Sequence, residues 1–306
     1  MLTISNYHYI REDFSTPYPS IFGVTPNGFK QQLKLLKNEY ESVTPSELLN
    51  YTDDILKSKD NYFFVTFDDG LKEQFELALP ILDELSIPAV FFANSRNYEE
   101  KRMSTVHKIH LLRSKLAPSK LIEEITRFGQ TISLSETDAK HAQSVYIYDD
   151  KDSAALKYLL NFKMDFKIQE ELIATLFDQY FIEDKIVEEL YMTENQIVEL
   201  SKMNYLGSHT HNHFPVGFLK TDETHFELEH SKAFFENLTN TKIEIVAYPY
   251  GSPEVCTEKV ATIAKDVGYK LGFTTTRGVN TNHNNHLLLN RFDCNDLPGG
   301  KNYKKL

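Results

Sequence analysis

The stretch Phe63-Phe64-Val65-Thr66-Phe67-Asp68-Asp69-Gly70 constrains the fold more than any other, because an apolar, β-branched and aromatic run stops at two adjacent carboxylates and a glycine. Such a run reads as a buried strand. A strand that ends in Asp-Asp-Gly delivers both acids to the rim of a sheet, where open α/β and barrel folds place their chemistry. A plainer reading also fits: a solvated turn in which an aspartate caps the next helix and Gly70 supplies a positive φ. A second polar cluster follows at Ser208-His209-Thr210-His211-Asn212-His213. His209 and His213 are four apart, and with one of the aspartates they offer a divalent metal two imidazoles and a carboxylate, leaving positions open for water. A polar loop is the plainer reading here. Both clusters follow apolar runs, Tyr62 to Phe67 and Tyr205 to Leu206, and it is their pairing that favours a site over two unrelated turns.

At these residues the chain resembles the polysaccharide deacetylases of the NodB-homology type, carbohydrate esterase family 4. The family's Thr-Phe-Asp-Asp-Gly stands unaltered at Thr66 to Gly70, and its His-Ser/Thr-x-x-His motif stands at His209 to His213. Ala247-Tyr248-Pro249-Tyr250-Gly251 resembles a variant third motif from a branch acting on bacterial surface glycans. Three motifs in the right order, within a resemblance running from about Tyr7 to Asp293, are far more specific than any one of them.

Composition is compatible with this and narrows the partners. The 306 residues suffice for a large core. With 33 basic and 44 acidic residues the formal net charge is −11, which argues against nucleic acid or an anionic membrane surface as the main partner. The start Met1 to Tyr9 lacks the pattern of a secretory signal, and no run approaches transmembrane length, so a cytoplasmic location is the expectation. Cys256 and Cys294 are too few for a disulfide framework and read as incidental thiols. Oligomeric state is not legible.

The expected elements alternate strand and helix. A strand over Leu2 to Tyr9 precedes a helix from Thr25-Pro26 to about Asn38, and Thr44-Pro45-Ser46-Glu47 reads as a capping box. After the strand into Asp68 come a helix over about Glu73 to Leu85 and a strand over Pro88 to Ala93, a succession that implies parallel pairing. Residues from about 97 to 191 carry helical periodicity instead, with apolar faces at Leu121, Ile122, Ile125 and Phe128, and at Leu172, Ile173, Leu176, Phe177 and Tyr180. Thr193 opens another capping box. Helices over about 224–238 and 253–267 alternate with strands over 243–248, 270–275 and 287–292, before a loose tail at 298–306. The resemblance implies an α/β fold, the irregular (β/α)7 barrel of the NodB type, as a single domain over residues 1–306 with a helical insertion at about 97–191.

The resemblance also implies roles. Asp69, His209 and His213 would hold the metal, Zn²⁺ first, with Co²⁺, Ni²⁺ or Fe²⁺ compatible with the same donors. Asp68 resembles the general base, and the backbone N–H of Tyr250 the oxyanion donor, aimed by Pro249. Two family features are missing. No arginine precedes the Pro-Tyr pair, so Arg291 in Leu289-Asn290-Arg291-Phe292-Asp293 is the candidate to orient the base, with a plain ion pair as its alternative. The late Leu-x-His, whose histidine serves as general acid, is also absent. His107 is the favoured substitute among His8, His107, His110, His283 and His286; His211 is expected not to be a ligand. The implied activity is metal-dependent removal of N-acetyl or other acyl groups from amino sugars of a surface glycan or its lipid- or nucleotide-linked precursor. Rivals are a deformylase or non-sugar amidase on the same site, and a degenerate deacetylase that only binds glycan.

Overall fold

The computed structural model describes residues 1–15, 18–19, 21, 23–127, 134–146 and 149–303. They form two compact units, one of Met1–Asp13, Phe22–Arg102 and Val187–Leu306, the other of Phe14–Ile21 and Met103–Ile186.

The first unit is built on strands β1 (Leu2–Tyr7), β2 (Glu41–Ser42), β3 (Tyr62–Phe67), β4 (Ala89–Ala93), β5 (Leu206–Ser208), β6 (Ile245–Ala247), β7 (Leu271–Phe273) and β8 (Phe292–Asp293). Every pairing is parallel, in the order β7-β6-β5-β4-β3-β1-β8, with β2 also on β3. The segment leading into β8 joins the two ends of this sheet. Leu289 N–H donates to the Gly272 carbonyl (2.8 Å) and Thr274 N–H to that of Leu289 (2.9 Å), so the segment runs along β7 before β8 pairs with β1. The result is the expected (β/α)7 barrel, and the expected last strand is divided between these two neighbours.

Both faces of the sheet are buried, which is why its strands read as unbroken apolar runs. Phe64, Phe92, Phe273, Ile4 and Leu289 share one core cluster, whereas Phe63, Val65, Phe67 and Phe91 pack with Phe29, Leu33 and Leu82 in another. This alternation has period two. It carries Thr66 and then Asp68 onto the Phe64 side of β3.

Local signals set the helices. Thr25 caps Pro26–Glu39, and complete capping boxes at Thr44 and Thr193 open Pro45–Lys57 and Glu194–Lys202. The helix expected over 73–85 begins instead with a wide turn, Gln74–Ala78, in which Leu79 N–H reaches back to the Gln74 carbonyl, before α-helix Leu79–Leu85. Pro80 has no N–H to give to an α-helical turn, and the wide turn accommodates it. Its first residue, Gln74, is fully buried beneath the site.

The second unit is helical, including Thr105–Leu112, Pro118–Arg127, Glu136–Val145, Lys151–Tyr158 and Phe166–Phe177. Leu121, Ile125, Leu172, Ile173, Leu176 and Phe177 are buried as their spacing requires, whereas Tyr180 is exposed because its helix stops at Phe177. Phe128 lies outside the described residues. Among the described residues no helix is long and apolar enough to cross a membrane.

Gly207 in β5 has no room for a side chain, since a Cβ there would lie 2.4 Å from the Phe92 ring. We expect Gly207→Ala to lower stability by about 1–3 kcal/mol, the usual cost of overpacking, read as the denaturation midpoint. An unchanged midpoint would contradict this close approach.

Candidate active site

The C-terminal ends of β1, β3, β5 and β6 and the segment entering β8 supply the candidate side chains. Asp68 and Asp69 follow β3 directly, and Asp69 (φ 79°) and Gly70 (φ 63°) leave the strand in left-handed conformations. A strand alone would send adjacent side chains to opposite faces; this turn lets Asp69 join Asp68 on the rim. Among the described residues eight non-glycine residues have positive φ, and four of them, Asp69, Thr210, His213 and Tyr250, belong to this site. Strain of this kind concentrates where neighbouring contacts over-determine the backbone.

Asp69 faces both histidines. Its Oδ1 lies 3.5 Å from His209 Nε2 and 3.2 Å from His213 Nε2, and all three residues are buried. The other ring nitrogen of His209, Nδ1, donates to the Ala247 carbonyl at 2.7 Å, which fixes Nε2 as the nitrogen available to an ion. Burial pushes the His209 imidazole down, but Asp68, Asp69 and the Ala247 carbonyl outweigh it, and its pKa lies above the ordinary value. Two imidazoles and a carboxylate converging on one point fit a divalent transition metal.

Asp68 is held apart from this set by Arg291. The guanidinium grips both carboxylate oxygens, Nη1 to Oδ1 at 2.7 Å and Nη2 to Oδ2 at 2.8 Å, and also donates through Nε to the Thr274 carbonyl and through Nη1 to Asn6 Oδ1 and Thr66 Oγ1. Arg291 is 1% exposed, so this is a buried, bidentate pair and not a surface contact. Burial pushes the Asp68 carboxyl up, yet Arg291, His209 and His8 more than reverse it, leaving the group below the usual carboxylate value.

His8 is the histidine that accompanies Asp68. Its Nε2 lies 3.9 Å from Asp68 Oδ2 and its side chain is 40% exposed, open to a substrate. Register dictates the placement: Tyr7 pairs with Phe67, so the next residues of β1 and β3 emerge side by side. Gln74 fixes both, its Nε2 donating to the carbonyls of Asp68 (2.6 Å) and His8 (2.9 Å). His107, favoured from the sequence, is a buried residue of helix Thr105–Leu112 in the second unit, its ring 6.0 Å from that of His110. His286 faces Asp53 and lines a cavity of about 1070 Å³ at the N-terminal edge of the strands, opposite Asp68 and Asp69. Tyr250 stands beside the Asp69, His209 and His213 cluster, its ring 5.4 Å from that of His213, and its carbonyl accepts from Thr275 Oγ1 at 2.9 Å.

A family model described as polysaccharide deacetylase matches residues 56–145 and 169–272, more than half of the chain. The chain belongs to the polysaccharide deacetylase family. The matched segments contain Asp68, Asp69, His209, His213 and Tyr250, while His8 and Arg291 lie outside them. The protein YxkH of Bacillus subtilis (strain 168), named for the same family, is 29% identical over 89 residues, a match spanning 29% of this chain and 31% of that protein. Three solved structures share the fold. The Streptococcus pyogenes deacetylase PplD in complex with acetate is 20% identical, with a TM-score of 0.58 over 95% of this chain and 91% of its own. IcaB of Ammonifex degensii is 18% identical, with a TM-score of 0.58 over 95% and 90%. A de-N-acetylase of Aggregatibacter actinomycetemcomitans is 13% identical, with a TM-score of 0.58 over 96% and 95%.

One support of this deacetylase-family site escaped the sequence reading. Glu227, buried on helix Thr221–Thr239, accepts from the N–H groups of His211 (3.1 Å) and Asn212 (2.7 Å) and from Asn212 Nδ2 (2.6 Å), clasping the loop between the two histidines. Four residues on, Ser231 Oγ accepts from Ser208 Oγ at 2.9 Å. Acid and hydroxyl at i, i+4 among Thr224, Leu228 and Phe235 on a buried stripe was the available signal. We expect Glu227→Ala to weaken zinc affinity about 10–100-fold, the usual loss on removing an outer support, measured by competition with a chromophoric chelator. Wild-type affinity would contradict the clasp.

Proposed function

We propose that this chain is a metal-dependent hydrolase that removes N-acyl groups, acetyl first, from amino sugars of a bacterial surface glycan or its lipid- or nucleotide-linked precursor. The observation that carries the reading is the division of labour between adjacent acids: Asp69 faces two imidazoles while Asp68 is kept from them, ionised, by Arg291. A pure binding module has no need of a second buried carboxylate in that state, which favours catalysis over the glycan-binding rival.

Asp69, His209 and His213 would hold the ion, Zn²⁺ first. When bound, such an ion polarises the acyl carbonyl and makes water acidic enough to attack near neutral pH. Asp68 takes a proton from the water whose oxygen bonds to the acyl carbon. The N–H of Tyr250 donates to the carbonyl oxygen as negative charge builds on it. As the C–N bond breaks, the leaving amine takes a proton from an imidazolium, and His8 is the residue we assign to this step in place of His107. Its exposure and its place beside Asp68 support the assignment. Acetate and a free amino sugar leave. Arg291 orients Asp68 throughout and transfers nothing. A deformylase would use the same groups, and formate in place of acetate among the products would reveal it.

Asp68→Asn is expected to cut acetate release from N-acetylated oligosaccharides or sugar nucleotides by about 10²–10⁴-fold with metal content unchanged, whereas Asp69→Ala loses the metal. Equal metal loss in both variants would overturn the assignment. For the acid, His8→Ala is expected to lower kcat by about 10²-fold or more with metal content unchanged. Full turnover in His8→Ala together with its loss in His107→Ala would restore His107 to the role.

A further inference from the structure

The residue between the two metal-ligating histidines belongs to a second constellation. His211, 4% exposed, points away from Asp69 toward helices Arg96–Glu99 and Thr221–Thr239. There Glu99 Oε2 lies 2.7 Å from His230 Nε2 and 3.9 Å from His211 Nδ1, and the two imidazole rings meet edge to face at 4.6 Å. One carboxylate oxygen thus faces two imidazoles, as Asp69 Oδ1 faces His209 and His213, with His211 standing the farther off. The donor atoms of the three residues lie within 4.8 Å of one another. A second carboxylate is within reach, since Glu100 Oε1 lies 3.5 Å from His211 Nε2. Phe226 stacks on His230 at 4.8 Å and Arg96 Nε donates to Glu100 Oε2 at 2.9 Å, which hold these donors in place, while Ser95 Oγ, 2.8 Å from His211 Nδ1, is the hydrogen-bond partner that an ion would displace.

We propose that Glu99, His211 and His230 form a second divalent-cation site, accepting zinc or another transition metal that favours imidazole and carboxylate donors. Hydrogen bonding alone would be satisfied by one imidazole on Glu99; two imidazoles around one oxygen, with a further carboxylate behind, is the pattern an ion completes. The side chains of Glu99 and His230 are 38% and 35% exposed, so this site exchanges with solvent more readily than the buried one. An ion here ties the loop between His209 and His213 to two helices, bracing the catalytic ligands from outside.

The test is zinc stoichiometry of the full chain after equilibrium dialysis at micromolar zinc, by elemental analysis. Wild type is expected to hold two ions, His230→Gln one, and the double variant Asp69→Asn/His213→Gln one, held at the second site. Glu99→Gln should weaken that site without touching the first. In the double variant zinc should also raise the melting temperature, an effect lost when His230→Gln is added. One ion in wild type and one in His230→Gln would overturn the proposal, as would two ions in both. Failure of the first site is separately visible: the double variant would then keep every ion that wild type holds.

Discussion

The site depends on the buried pairing of Arg291 with Asp68. Arg291 belongs to the segment that closes the barrel between β7 and β1, and Asp68 ends β3, so this contact ties the closing segment to the rim of β3 and sets the charge state of Asp68. Removing one member of such a pair typically costs about 3–5 kcal/mol, because the other is left charged and dry. Here the desolvation cost is met by further bonds from the guanidinium to Asn6, Thr66 and the Thr274 carbonyl. The same pairing keeps Asp68 an acceptor while its neighbour faces the histidines.

Around that pair, the remaining contacts are positional. Gln74 ties the ends of β1 and β3 together, Glu227 clasps the histidine loop, and Ala247 selects the His209 tautomer. The left-handed backbone at Asp69, Thr210, His213 and Tyr250 shows where the chain bends against its local preference to aim these groups. Rigid strands set the coarse position, and strained turns set the direction.

What the sequence made legible was local. Thr44 and Thr193 announce helices through side chains three residues away, and Phe63 to Gly70 states strand and rim in eight residues. Arg291 could be nominated to orient Asp68 only through the resemblance, with a plain ion pair as its alternative, because 223 residues separate them and only the closed ring brings them together. His8 beside Asp68 follows from a one-residue extension of the Tyr7–Phe67 register, which periodicity does not reveal. Gln74 was hidden by the wide turn before Pro80, and Glu227 by a helix whose buried stripe mixes acid, hydroxyl and apolar groups. Residues 14–21, grouped with the helical unit, carry no helical pattern to say so.

The most direct test of the division of labour is a crystal structure of the zinc-loaded protein with anomalous scattering at the zinc edge. The expected result is an ion bound by Asp69, His209 and His213, with Asp68 still gripped by Arg291 and outside the coordination sphere. An ion that takes Asp68 as a ligand, or zinc-loaded crystals with no anomalous peak between Asp69 and the two histidines, would contradict it.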